Sequence, residues 1–168
     1  MNVTEMLVDQ LESVRRITLE TFSDLAPRER LHQAAPGVNH PLWLLGHIAT
    51  SEDHLVLDFC AGRPLLPKNY GPLFGIGSKP LGDASAYPAA EEVLTELSRV
   101  HKSALAYVRG ASAAELDLPP VPFERMEGRA RELFRTRGRC IWFHGHHEAM
   151  HAGQMGYIRR LLGKPYRI

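Results

Sequence analysis

Cysteine is scarce in this chain: Cys60 and Cys140 are the two in 168 residues. Two thiols are too few for a disulfide framework or a four-cysteine zinc site, and they suit a reducing cytoplasm. A surplus of one charge sign is also missing, with 20 Lys and Arg against 19 Asp and Glu and a net charge of +1. Chains that bind nucleic acid through its phosphates carry a clear basic excess, so no nucleic-acid partner is expected. No apolar run reaches membrane length. The longest uncharged one, around Val38 to Ser51, contains Asn39, His40, Pro41 and His47, so no membrane association is expected. Met1 to Gln10 carries Glu5 and Asp9 without a basic start and an apolar run, and a signal peptide is not expected. Strand-like alternation is absent too. What remains is ordinary for a globular chain: 44% hydrophobic and 23% charged residues, at a length that suits one domain over residues 1–168.

Four segments carry helical periodicity. The first runs from about Thr4, a candidate N-cap, to Phe22, with Leu7, Leu11, Val14 and Phe22 near the helical period. The second follows Asn39, with Pro41 in its first turn, and continues to about Cys60. The third runs from near Pro88 to Gly110 on a stripe of Val93, Leu97, Val100, Ala104 and Val108. The fourth runs from about Arg137 to Leu162 and stops at Gly163, with Arg159 and Arg160 suiting the dipole of its last turns. Helices of this length, about 30 Å, predict an all-α four-helix bundle. The links Ala61–Tyr87 and Ala111–Thr136 are long enough to return along the bundle, and loops of that length are often functional.

Histidine is the unusual count, at nine. His147 and His151 are four apart, on one face of the fourth helix, where two imidazoles can share a divalent ion. About half of one such pair is expected by chance, so spacing alone is weak. The face adds weight. Cys140, His144, His147, His151, Met155, Ile158 and Leu162 form one stripe, so the histidines point inward. A core built on stacked imidazoles must find partners for all their nitrogens. His147-Glu148-Ala149-Met150-His151 also matches the H-E-x-x-H pattern of zinc proteases, in which Glu is the general base. The 17 residues after His151 contain no His, Asp or Glu, so a third ligand must come from upstream, which argues against a protease. His47, mid-helix after Gly46, supplies one. Gly46 permits close approach or simply tight packing. Three neutral imidazoles leave a cation its full charge and an open position, a catalytic and not a closed structural arrangement.

Glu148 is either a base or a solvated residue, Gln154 either orients a ligand or packs, and His144 is a candidate supporting group beneath the ligands. His54 is about 10 Å along the helix from His47, too far to share its ion. His101 reads as a satisfied core histidine; His32, His40 and His146 read as loop or surface residues. Cys140 reads as a small core residue. Phe123 to Arg139 carries six Arg against Glu124, Glu127 and Glu132, either a carboxylate-binding cluster or, more simply, a solvated face. The segment Pro72–Lys79 matches no phosphate-loop pattern and reads as a lid or dimer-contact loop.

Asn39-His40-Pro41-Leu42-Trp43-Leu44-Leu45-Gly46-His47-Ile48-Ala49, followed about 100 residues later by His147-Glu148-Ala149-Met150-His151-Ala152-Gly153-Gln154, resembles the DinB-like (YfiT-like) superfamily. Tyr157 to Pro165 is similar as well, so the resemblance spans the chain. It implies an up-down-down-up four-helix bundle, often a homodimer. It also implies a divalent metal, zinc or nickel by donor type, on His47, His147 and His151. Relatives include transferases that use low-molecular-weight thiols such as bacillithiol, mycothiol or glutathione. The expected function is therefore a metal-dependent thiol transferase acting on a small molecule. A hydrolase of the same fold and a non-catalytic metal- or ligand-binding bundle are the alternatives.

Overall fold

The periodic segments become seven α-helices in the computed structural model, which describes residues 1–165 and 167. They are α1 (Val3–Ser23), α2 (Pro41–Glu52), α3 (Tyr70–Phe74), α4 (Ala90–Gly110), α5 (Ala113–Asp117), α6 (Gly128–Leu133) and α7 (Arg137–Leu161). No strand occurs among the described residues. The four long helices are those expected, with ends within about two residues except in α2. There a π-helical turn, Asp53–Asp58, replaces the last turns of the continuous helix expected to Cys60. The three short helices sit inside the two long links.

The helix ends explain themselves chemically. Asn2, not the expected Thr4, caps α1: its Oδ1 accepts from the Glu5 amide at 2.9 Å, and Glu5 accepts from the Asn2 amide at 2.9 Å. That reciprocal pair satisfies two amides that lack helical partners. His40 is not a surface residue. It is fully buried and caps α2, its Nδ1 accepting from the Trp43 amide at 3.1 Å while Nε2 donates to the Leu81 carbonyl at 3.0 Å. α7 begins on the Thr136 hydroxyl and ends before Gly163, which takes φ +72°, a conformation glycine adopts without strain.

α1 packs on α7 and α4, and α2 packs on α4 and α7. The pairs at these seams include Arg15 with Glu148 and Arg159 with the Thr21 carbonyl. The apolar core falls into two clusters. One gathers Phe22, Leu45, Ile48, Phe74, Leu97 and Met155; the other gathers Leu11, Val56, Leu57, Val108, Cys140 and Ile141. Each fully buried Leu or Phe adds roughly 2 kcal/mol of hydrophobic stabilisation. Between the clusters the long helices turn polar residues inward: Arg15 and Thr18, Glu52, His101, then His144 and Glu148. This layer crosses the middle of the molecule, and the candidate site lies against it.

Candidate metal centre

α2 and α7 bring His47, His147 and His151 together. The Nε2 atoms of His151 and His147 are 3.0 Å apart and those of His47 and His147 are 3.4 Å apart. One nitrogen from each ring lies within 4.8 Å of the others. The opposite nitrogens are all engaged. His47 Nδ1 donates to the Phe74 carbonyl at 2.6 Å, which leaves its Nε2 as a lone pair. His151 Nδ1 donates to Gln154 Oε1 at 3.0 Å, and His147 Nδ1 lies 3.2 Å from the Ser51 hydroxyl. Such outward bonds set the tautomer and aim the free nitrogens at one point.

Electrostatics keep the three rings uncharged. Burial, opposed by the bond to Phe74, pulls the His47 pKa down to about 4. Burial and the neighbouring imidazoles take His147 to about 3, and burial lowers His151 as well. At neutral pH the three rings are therefore uncharged, and with His147 donating from Nδ1 to Ser51, as His47 and His151 donate to their own partners, the three inner nitrogens present converging lone pairs. Lone pairs in that arrangement repel one another unless a cation lies among them, so the donor set fits a divalent metal of the imidazole-binding kind.

The surrounding structure holds His47 in place from two sides. Trp43 stacks on its ring at a centroid distance of 4.7 Å, and the Trp43 indole N–H is held by the Leu73 carbonyl and the Ser78 hydroxyl. Gly46 lies directly under the Phe74 ring, where a Cβ would overlap ring carbons. The close approach expected at Gly46 is thus made by a side chain of the short helix α3, and it brings the Phe74 carbonyl onto His47. Gly71, Gly75 and Ile76 line a cavity of about 540 Å³ that also exposes His47 and His147.

Glu148 lies neither in that cavity nor in solvent. Its side chain has no exposed surface, and its two oxygens accept from Arg15 Nε at 2.8 Å and Nη2 at 3.0 Å. Burial alone would raise its pKa, but Arg15 outweighs it and holds the carboxyl below the usual range. Arg15 also donates to Glu52 at 2.8 Å, and Glu52 accepts from His101 Nδ1 at 2.8 Å. His144 is completely buried beside both carboxylates, its Nε2 3.5 Å from Glu148 and 3.8 Å from Glu52. His101 is the satisfied histidine expected. His54 stays apart from the ligand cluster, 55% exposed and 3.3 Å from Asp58 at the cavity rim. Arg131 and Arg137 are engaged locally, with the Phe123 carbonyl and Glu115, so the basic stretch does not converge on the site.

Residues 10–155 match the DinB superfamily. The chain belongs to that superfamily. Among solved structures, this DinB chain resembles the crystal structure of a conserved protein from Enterococcus faecalis. The TM-score is 0.74 at 21% identity, over 98% of this chain and 99% of that one, a likeness of fold. A comparison with curated proteins finds no match.

Sequence reasoning missed Arg15, Glu52, Ser51 and the Phe74 carbonyl. A signal existed for two of them. Arg15 continues the Leu7–Leu11 stripe and Glu52 follows the apolar run of α2, so both charges fall on buried faces.

Proposed function

We propose that this DinB-superfamily protein is a metal-dependent enzyme whose cation, zinc or nickel by donor type, is held by His47, His147 and His151. One observation carries the reading: three imidazoles turn one nitrogen each toward a common point while Phe74, Gln154 and Ser51 engage their outer nitrogens. A divalent cation there supplies Lewis acidity, lowering the pKa of a thiol or water that enters from the cavity. Of the two, transfer of a thiol to an electrophile is the preferred reaction, because an uncharged donor set favours an anionic exogenous partner.

The chain's own residues bind, orient and shield. Trp43 and Phe74 hold His47 and keep water from its outer face. Ser51 and Gln154 fix the rotation of His147 and His151. Glu148 is a positioning residue in this reading: its bond to Arg15 locks the turn of α7 that carries both histidines. Two carboxylates against one guanidinium also favour positive charge nearby. The long helices are read as an up-down-down-up bundle. Arg15 with Glu148 and Thr21 with Arg159 support parallel α1 and α7, and Ser51 with His147 and His47 with His151 support antiparallel α2 and α7. A homodimer and a cytoplasmic setting complete the reading. The dimer rests on the family resemblance, the compartment on two free buried thiols.

Elemental analysis of purified protein tests the site, with about one zinc or nickel per chain expected in the wild type and none in His151→Ala. Metal-free wild-type protein that takes up neither ion overturns the proposal. Turnover of a chlorinated electrophile by loaded protein then separates the reactions. Dependence on added thiol supports transfer, whereas equal turnover without thiol makes the protein a hydrolase.

A further inference from the structure

The cavity over the histidines carries information about what enters it. Aromatic rings follow one another along its wall. Phe59 and Phe134 have centroids 6.1 Å apart, Phe134 and Phe143 are 5.1 Å apart edge to face, and Phe143 lies nearly parallel to His147 at 6.1 Å. His54 adds a ring at the rim, 4.2 Å from Phe59. These side chains come from the π-helical turn and its exit, from the segment after α6 and from α7. The wall is therefore assembled from three separate stretches of chain. It leads from the mouth to a metal-ligating ring, and Leu55, Leu66 and Ile76 complete an apolar lining.

Most polar groups of the lining already have protein partners. The Thr50 hydroxyl donates to the Gly46 carbonyl at 2.9 Å, and Ser51 is held at His147. The Asp53 carboxylate accepts from the Leu65 and Leu66 amides at 2.7 and 3.2 Å. At the rim Asp58 pairs with His54, and Lys68 is the one Lys or Arg of the lining. Two carboxylates against one ammonium leave the protein lining without a surplus of positive charge. Bidentate capture of a substrate carboxylate needs a guanidinium, and no Arg lines this cavity.

We infer that the cavity takes a compact, uncharged aromatic molecule with a single donor head that reaches the histidine cluster, and that it disfavours a dicarboxylate peptide thiol. The inference rests on the metal reading of the three histidines for the role of the donor head; the choice of an aromatic body stands on the wall alone. A volume of about 540 Å³ accommodates a small drug-sized body. Rings set edge to face and offset are the surfaces on which a further aromatic ring packs.

Isothermal titration tests this with 2-phenylethanethiol and glutathione as probes of zinc-loaded protein, and 2-phenylethanol as the probe of metal-free protein. The aromatic thiol is expected to bind at least about tenfold more tightly than glutathione. Phe134→Ala is expected to weaken the aromatic probes by at least about threefold with zinc uptake unchanged. Phe59→Leu, which keeps an apolar side chain, guards against a folding defect and is expected to act in the same direction. Glutathione binding as tightly as the aromatic thiol overturns the inference, as does aromatic binding indifferent to both Phe substitutions. Zinc uptake, followed separately by chelator competition, tells the two readings apart. If zinc does not bind, the metal reading fails, and 2-phenylethanol binding to metal-free protein decides this one. Binding weakened by Phe134→Ala upholds it, and no binding overturns it.

Discussion

Two buried polar groupings lie side by side in this molecule and are built on opposite principles. The Arg15, Glu52, Glu148 and His101 network closes on itself, with charge opposite charge and each guanidinium bond to a carboxylate near 3 Å. The His47, His147 and His151 cluster closes outward only. Its outer nitrogens are satisfied and its inner ones face each other. The first grouping pairs its charges within the protein, so its work is to hold four helices in register. The second is incomplete as protein and fits a cation. They share α2 and α7, where Glu52 follows Ser51 and Glu148 follows His147, so the closed network sets the helix rotations on which the open cluster depends.

Breaking the closed network should have the largest effect. Arg15→Ala leaves two buried carboxylates without their cation and should cost about 3–5 kcal/mol, because the desolvation of those charges is no longer offset. Urea denaturation measures it, and a loss below about 1 kcal/mol would show that the network is not a closed unit. Breaking the open cluster should do the reverse. His151→Ala should reduce zinc affinity by more than about 100-fold while the metal-free protein unfolds within about 1 kcal/mol of wild type. A large loss of stability in that metal-free variant would mean that the cluster is structural. Gly46→Ala probes the support of the open cluster, since the new Cβ must displace the buried Phe74 ring, whose residue's carbonyl orients His47. A cost of about 1–3 kcal/mol is expected, together with weaker zinc binding in chelator competition. Stability lost without any change in zinc binding would separate packing from ligand orientation.

The smallest effect concerns a paired charge at the molecule's edge. Asp24 accepts from Arg159 and Arg167, and the bond from Arg159 holds its carboxyl down at about 2. The folded value lies below the unfolded one. The pair therefore adds stability above the ordinary aspartate range and loses it as pH falls from about 4 toward 2. An Asp24→Asn variant should melt at nearly the same temperature as wild type at pH 2 and slightly below it at pH 6. An equal difference at both values would assign the effect to packing.

Much of the fold was legible because apolar periodicity is local. The spans of α1, α4 and α7 follow from residues three and four apart. The histidine pair on α7 was legible for the same reason, and His47 by its place in a motif similar to the superfamily's. Glu148 shows where that reading stops. It stands one position from His147, and spacing alone offered a base or a solvated residue. Its actual partner, Arg15, lies 133 positions away. His40 misled in the same way, because a histidine before Pro41 looks like loop until the Leu81 carbonyl is brought to it. The π-helical turn at Asp53–Asp58 also escaped, since no periodicity distinguishes one extra residue per turn over so short a span.

The amino-acid sequence by itself determined an all-helical chain, the spans of α1, α4 and α7 and the histidine pair of α7, because propensity, capping and spacing act over a few neighbouring residues. The tertiary structure alone decided which ring nitrogens face one another, that Glu148 pairs with Arg15, and that phenylalanines from three stretches line one cavity. Those outcomes depend on distances between residues far apart in the chain, which only packing sets.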